Sequence, residues 1–176
     1  MRADKYLFLG ANTADGFVGF FNKIIDTYNL EKLYILKGGS GIGKSTFILR
    51  FADAFPKYSR DFLVCAGDPK SLDGVIIPDL KVGIIDGTFP HPVDPIYPGV
   101  VDEIIDLGKF IDPTKVTADK QTMQYLSSKK ASHYKKAYAH LNSARQIHHK
   151  IESFYKDAVD FTAVQKILMK LIDHHS

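Results

Sequence analysis

Leu33-Tyr34-Ile35-Leu36-Lys37-Gly38-Gly39-Ser40-Gly41-Ile42-Gly43-Lys44-Ser45-Thr46 joins a short apolar run to a glycine-rich loop and then to an amphipathic segment. Gly38 through Ser45 fits the pattern G-x-x-x-x-G-K-[ST] in full, the spacing of a phosphate-binding loop. Each residue type has a chemical reason. Glycines admit positive φ and let backbone N–H groups turn toward phosphate oxygens. Lys44 supplies a compact ammonium for the β- and γ-phosphates, and Ser45 supplies a hydroxyl for Mg²⁺. The helix that follows would direct its positive end at the same anion. Gly38, Gly39, Ser40, Gly41, Ile42, Gly43, Lys44, Ser45 and Thr46 are therefore the expected nucleotide-binding residues.

The flanks agree with this reading. Leu33–Leu36 has the character of a buried strand, while Ile48, Phe51, Ala52 and Phe55 share one helical face before Pro56 ends it. Downstream, Phe62–Ala66 reads as a buried parallel strand, Val75–Ile77 as a short edge strand ended by Pro78, and Lys81–Asp86 as another apolar strand. That last strand ends in a carboxylate, where such folds place a group that holds Mg²⁺. Ser45 and Asp86 are thus the expected metal ligands, with Asp68 as a rival.

Four prolines stiffen Gly87–Gly99, and His91 within it could titrate near neutrality or touch a substrate. His91 joins Lys44 and Asp86 as a catalytic candidate, with Asp68 and Asp94 as other candidates for activating water. Two further helices are expected, one along Phe17–Tyr28 and one along Val100–Phe110.

Beyond Asp112 no strand is evident. A helix from about Thr114, a heptad-like seam through Ala144, Ile147, Ile151, Phe154, Ala158 and Phe161, and a capping box at Thr162–Gln165 suggest a helical hairpin plus a terminal helix. The expected architecture is a three-layer αβα P-loop core over 1–112, with a mainly parallel sheet, and a helical arm over 113–176. Only three strands are firm from sequence, so an edge from the N-terminal segment, missing sequence or a second subunit would have to complete the sheet.

The chain has 176 residues, 45% of them hydrophobic and 24% charged, which suits one soluble domain. The lone Cys65 reads as a small buried hydrophobe, and with no membrane span or signal segment evident the expected compartment is the cytoplasm. Lys129–Lys150 carries basic residues and no acidic one, with Tyr134 and Tyr138 interleaved. A solvated face, or docking on the acidic middle of the chain, is favoured there over nucleic-acid binding.

Gly10–Thr13 with Gly16-Phe17, Tyr34–Thr46, Asp68–Asp73, Lys81–His91, Val93–Pro95, Tyr97–Gly99 and the helix around Tyr138, Leu141, Ala144, Ile147 and His148 carry a resemblance. Over most of its length the chain resembles a family of uncharacterised bacterial P-loop ATPases whose members have two similar P-loop repeats in one longer chain. The resemblance implies ATP bound through Gly38–Thr46 and Mg²⁺ supported by Asp86; it supplies no substrate. This chain spans about one repeat, so a homodimer could stand in for the second. The expected function is an Mg-dependent ATPase or ATP-driven switch. A small-molecule or nucleotide kinase is the alternative, as is a non-hydrolysing nucleotide-binding module acting through a partner.

Overall fold

The computed structural model describes residues 3–89 and 92–175. The sheet strands are β1 (Lys5–Leu7), β4 (Lys32–Lys37), β5 (Asp61–Val64), β6 (Leu72–Ile77), β7 (Val82–Asp86) and β8 (Asp102–Asp106); β2 (Gly10–Thr13) and β3 (Gly16–Gly19) form a separate hairpin. The helices are α1 (Ile24–Tyr28), α2 (Lys44–Asp53), α3 (Thr114–Thr117), α4 (Lys120–Lys156) and α5 (Phe161–His175). The six-stranded sheet runs β1-β5-β6-β7-β4-β8. All its pairings are parallel except the two made by β6. The chain is therefore α/β with a mostly parallel sheet, compatible with three layers.

Alternation along each strand divides the core. Leu33, Ile35, Leu63, Ile76 and Ile85 pack on one face with Phe21, Ile24 and Ile25. Leu36, Phe62, Val75 and Ile84 pack on the other with Ile48 and Ala52 of α2. Each aliphatic side chain removed from water this completely contributes about 1.5–3 kcal/mol, so the sheet centre dominates stability.

Several expectations change. Val75–Ile77 belongs not to an edge but to β6, buried in the middle of the sheet and antiparallel to both neighbours. Its proline comes after the last ladder residue and opens a 3-10 turn, Pro78–Leu80, so it does not mark an edge. Asp61–Val64 is buried as expected, but it pairs parallel only with β1. The N-terminal segment does supply an edge, as β1 beside β5.

The helix expected along Val100–Phe110 is a strand and a short turn. Ile104 and Ile105 sit in β8, paired parallel with Ile35 and Leu36, and a 3-10 turn follows at Leu107–Phe110. A short apolar run flanked by acids satisfies either period; the open ladder of β4 decides it. The helix expected along Phe17–Tyr28 starts only at Ile24. Phe21–Lys23 before it is a 3-10 turn, and Gly16–Gly19 forms β3, which pairs with β2 through a turn in which Thr13 Oγ1 donates to Gly16 O at 2.7 Å. The Phe17 ring lies across this hairpin so closely that a Cβ at Gly10 would sit 2.2 Å from its Cζ.

The helical hairpin is likewise corrected. A single helix, α4, runs for 37 residues, about 55 Å at 1.5 Å per residue. No glycine or proline occurs after Pro113 to interrupt it. α5 is capped by Asp160, whose Oδ1 accepts from Ala163 N at 3.0 Å, rather than by Thr162. The heptad-like seam is not buried within the chain: Ile147 and Phe154 are 63% and 72% exposed. No helix among the described residues is long and apolar enough to cross a membrane.

β1 is tied down by charge as well as by its ladder. Arg60 Nη2 donates to Asp4 Oδ2 at 2.6 Å and Arg60 N donates to Asp4 Oδ1 at 3.0 Å. Hydrogen bonding from Arg60 holds the Asp4 carboxyl below its ordinary 3.8. A depressed carboxylate pKa stabilises the fold above the unfolded value and ceases to do so as pH falls through the folded one. Asp4→Asn is expected to cost about 1 kcal/mol or less at pH 7. The gap from wild type should narrow as denaturant unfolding is repeated below the ordinary 3.8.

Candidate functional site

β4, β7 and β8 are parallel neighbours, so their C-terminal ends share one edge of the sheet. Ligands of open α/β sheets collect at that edge. β4 delivers the glycine-rich loop there, and β7 delivers Asp86, in register with Leu36. The loop uses its glycines for backbone reach: φ is +143° at Gly38, +83° at Gly41 and +91° at Gly43. Ile42 contributes backbone to the loop while its side chain folds back over Gly38, where a Cβ would lie 2.0 Å from Ile42 Cδ1. Gly43 caps α2, and Phe47 N donates to its carbonyl at 2.9 Å.

Lys44 opens α2 and is only 9% exposed. Its Nζ donates to Gly38 O and Gly39 O, both at 2.9 Å, and lies 3.6 Å from Asp86 Oδ2. Asp86 is oriented from its other oxygen, which accepts from Thr88 N at 2.9 Å and Thr88 Oγ1 at 2.6 Å. Ser45 Oγ donates to Leu72 O at 3.0 Å and lies 2.7 Å from Ser71 Oγ. These groups meet at a cavity of about 450 Å³ whose walls include Ser40, Gly41, Gly43, Thr46, Cys65 and the buried Asp73.

The expected loop residues, Lys44, Ser45 and Asp86 therefore come together. Asp68 does not line this cavity; it is exposed and accepts from Lys70 N at 3.1 Å in a local turn. Asp94 does not line it either. His91 lies outside the described residues. Sequence reasoning missed Ser71, Asp73, Cys65 and Thr88. Thr88 left a trace, being a hydroxyl two residues after a strand-end carboxylate, where it can return a bond to it.

Cys65 forms part of the cavity wall and is not wholly buried. Burial pushes its thiol above the ordinary 9.0, and Asp73 adds in the same direction against backbone hydrogen bonds from Gly67 and Asp68. The thiolate is the reactive form. Alkylation at pH 8 should therefore be slower than for free cysteine, with the pH–rate profile displaced upward; mass spectrometry of iodoacetamide-treated protein checks this.

Two side chains hold the segment between β7 and β8: Lys37 at this edge, and Asp102 at the opposite edge, where β8 begins beside Leu33. Lys37 Nζ donates to Gly87 O and Val93 O, both at 2.8 Å. The buried Asp102 accepts from Ile96 N at 2.7 Å and Tyr97 N at 2.6 Å.

On the far side, α4 passes over the loop's approach. Tyr138 Oη donates to Asn12 Oδ1 at 3.0 Å, and Asn12 Nδ2 donates to Ala66 O at 2.9 Å. Arg145 makes a two-pronged pair with Asp15, whose carboxyl it holds below the ordinary range. The arm's polar contacts thus run to the β2–β3 hairpin, while its Tyr134 lies against Gly67 in the middle of the chain. Compared with protein-family models, curated proteins and solved structures, the chain has no significant match.

Proposed function

We propose that the Gly38–Thr46 loop is a P-loop that binds Mg·ATP, and that the protein is an ATPase or ATP-driven switch. The observation that carries this reading is the position of Lys44. Its ammonium is withdrawn from water at a helix N-terminus, held by carbonyls of its own loop and paired with Asp86 on the wall of a cavity large enough for phosphates. An ammonium so placed exchanges carbonyl oxygens for phosphate oxygens without leaving its site.

The donor set suits Mg²⁺ with a nucleotide. Among the described residues no group of three or more His, Cys, Asp or Glu side chains could hold a metal ion. Mg²⁺ in nucleotide sites takes one or two protein oxygens and fills its remaining positions with phosphate and water. Ser45 and Asp86 would be those protein ligands. Bound there, Mg²⁺ would neutralise charge on the β/γ oxygens. Lys44 would hold the same oxygens, the loop amides would orient them, and Thr88 would keep Asp86 aimed.

Calorimetry with ATP, with and without Mg²⁺, and the fate of γ-labelled phosphate test the reading. Mg-dependent binding with release of free phosphate supports an ATPase; label on an added acceptor makes it a kinase. Binding without turnover makes it a switch or module completed by a partner, a second repeat or a second copy. Absence of ATP binding overturns the reading.

A further inference from the structure

A second cavity, about 580 Å³, lies between the glycine-rich loop and α4. It shares Ser40, Thr88 and Phe89 with the first cavity, so the two adjoin. Its other wall is the arm, with Lys130, Tyr134, Lys135 and Tyr138 among the residues that line it. Among the described residues no carboxylate lines it. The rings are 6.0 Å apart between centroids and tilted by 42°. Tyr138 is fixed by its bond to Asn12, whereas Tyr134 is 38% exposed and Phe89 77% exposed.

We propose that this cavity is a second ligand site, taking a small planar organic anion and presenting it to the terminal phosphate of the bound nucleotide. The charge of the ligand follows from the residues of the wall: two lysines, with no carboxylate among the described lining residues, favour a phosphate or carboxylate. The flat body follows from the rings, on which a planar group stacks. The volume falls within the range of small-molecule sites. Its placement rests on the Mg·ATP reading. The shared wall is on the Thr88 side, two residues from Asp86, where the distal phosphates and metal would lie. Thr46, further along the helix, lines the first cavity alone. The second molecule would therefore face the distal end of the phosphate chain and not the base.

Pyridoxal 5′-phosphate is a suitable probe: a planar anion whose aldehyde condenses with a lysine amine, releasing water, to an imine that added borohydride reduces to a stable amine. Peptide mapping then reads which lysine was held near the probe. Lys129 and Lys136 are internal controls, because they neighbour Lys130 and Lys135 on the helix without lining the cavity. Lys130 and Lys135 should label about tenfold faster than the controls, and the preference should persist with a non-hydrolysable Mg·ATP analogue. Phenyl phosphate should suppress it at lower concentration than inorganic phosphate. Equal labelling of all four lysines overturns the site, and equal competition by the two phosphates overturns its preference for a planar body. Protection of Lys130 and Lys135 by the analogue also overturns it, since the cavity would then belong to the nucleotide. Failure of the Mg·ATP reading is separately visible as lack of protection of Lys44; the anion site then stands or falls on the labelling preference alone.

Discussion

Lys44→Ala is expected to weaken Mg·ATP binding by roughly 10- to 100-fold, the worth of a charge-assisted contact of about 1.5–3 kcal/mol. Any phosphate release should fall further, by about 10²–10³-fold, because the ammonium matters most when charge builds on the transferring oxygens. The substitution leaves two loop carbonyls and Asp86 without the cation that now joins them. A modest loss of stability should accompany the loss of binding, so thermal unfolding must be measured beside it. Lys44→Arg is the sharper control: it keeps the charge but puts a planar fork where a compact ammonium fits, and it should recover little. A well-folded Lys44→Ala protein with unchanged ATP affinity would remove the loop from the nucleotide site.

The largest stability effect should come from Ile84→Ala. Ile84 is fully buried in β7, with β6 and β4 on either side and α2 against its face. No flexible element borders it, so the space left behind cannot collapse, and the expected cost is about 2–5 kcal/mol. For a chain of this size each kcal/mol lowers Tm by about 2–4 °C. Ile104→Ala on the edge strand β8 is the matched comparison. With Ile104 49% exposed, that change should cost well under half as much. Similar losses at both positions would mean that the sheet centre is not the principal source of stability.

The shape of the glycine-rich loop is readable from sequence because its demands are local: glycines for positive φ, a lysine at a helix start, an acid at a strand end. The sheet's interior was less readable. Nothing in Leu72-Asp73-Gly74-Val75-Ile76-Ile77 shows that it runs against its neighbours. Its central place depends on Gly74, where a Cβ would come within 2.8 Å of Ile84 O and Leu63 Cδ1. That is a long-range fit, invisible to local pattern. β8 was misread for the same reason, its conformation being set by the ladder of β4. In the arm the local pattern points the other way: the heptad-like seam suggests a helical hairpin, yet Ile147 and Phe154 on it are exposed. Its true attachment, through Tyr138 and Arg145, involves polar atoms of a hairpin near the other end of the chain.

That attachment also sets an order of events. The bond from Tyr138 to Asn12 spans 126 residues and the pair from Arg145 to Asp15 spans 130. Contacts this distant in sequence form late, and a ribosome releases the strands and the glycine loop before it makes α4. Newly made protein thus has a stage in which the edge that carries the glycine-rich loop is assembled but stands open on one side. The second cavity comes into existence only when the arm docks, so its wall is a product of the final step of folding.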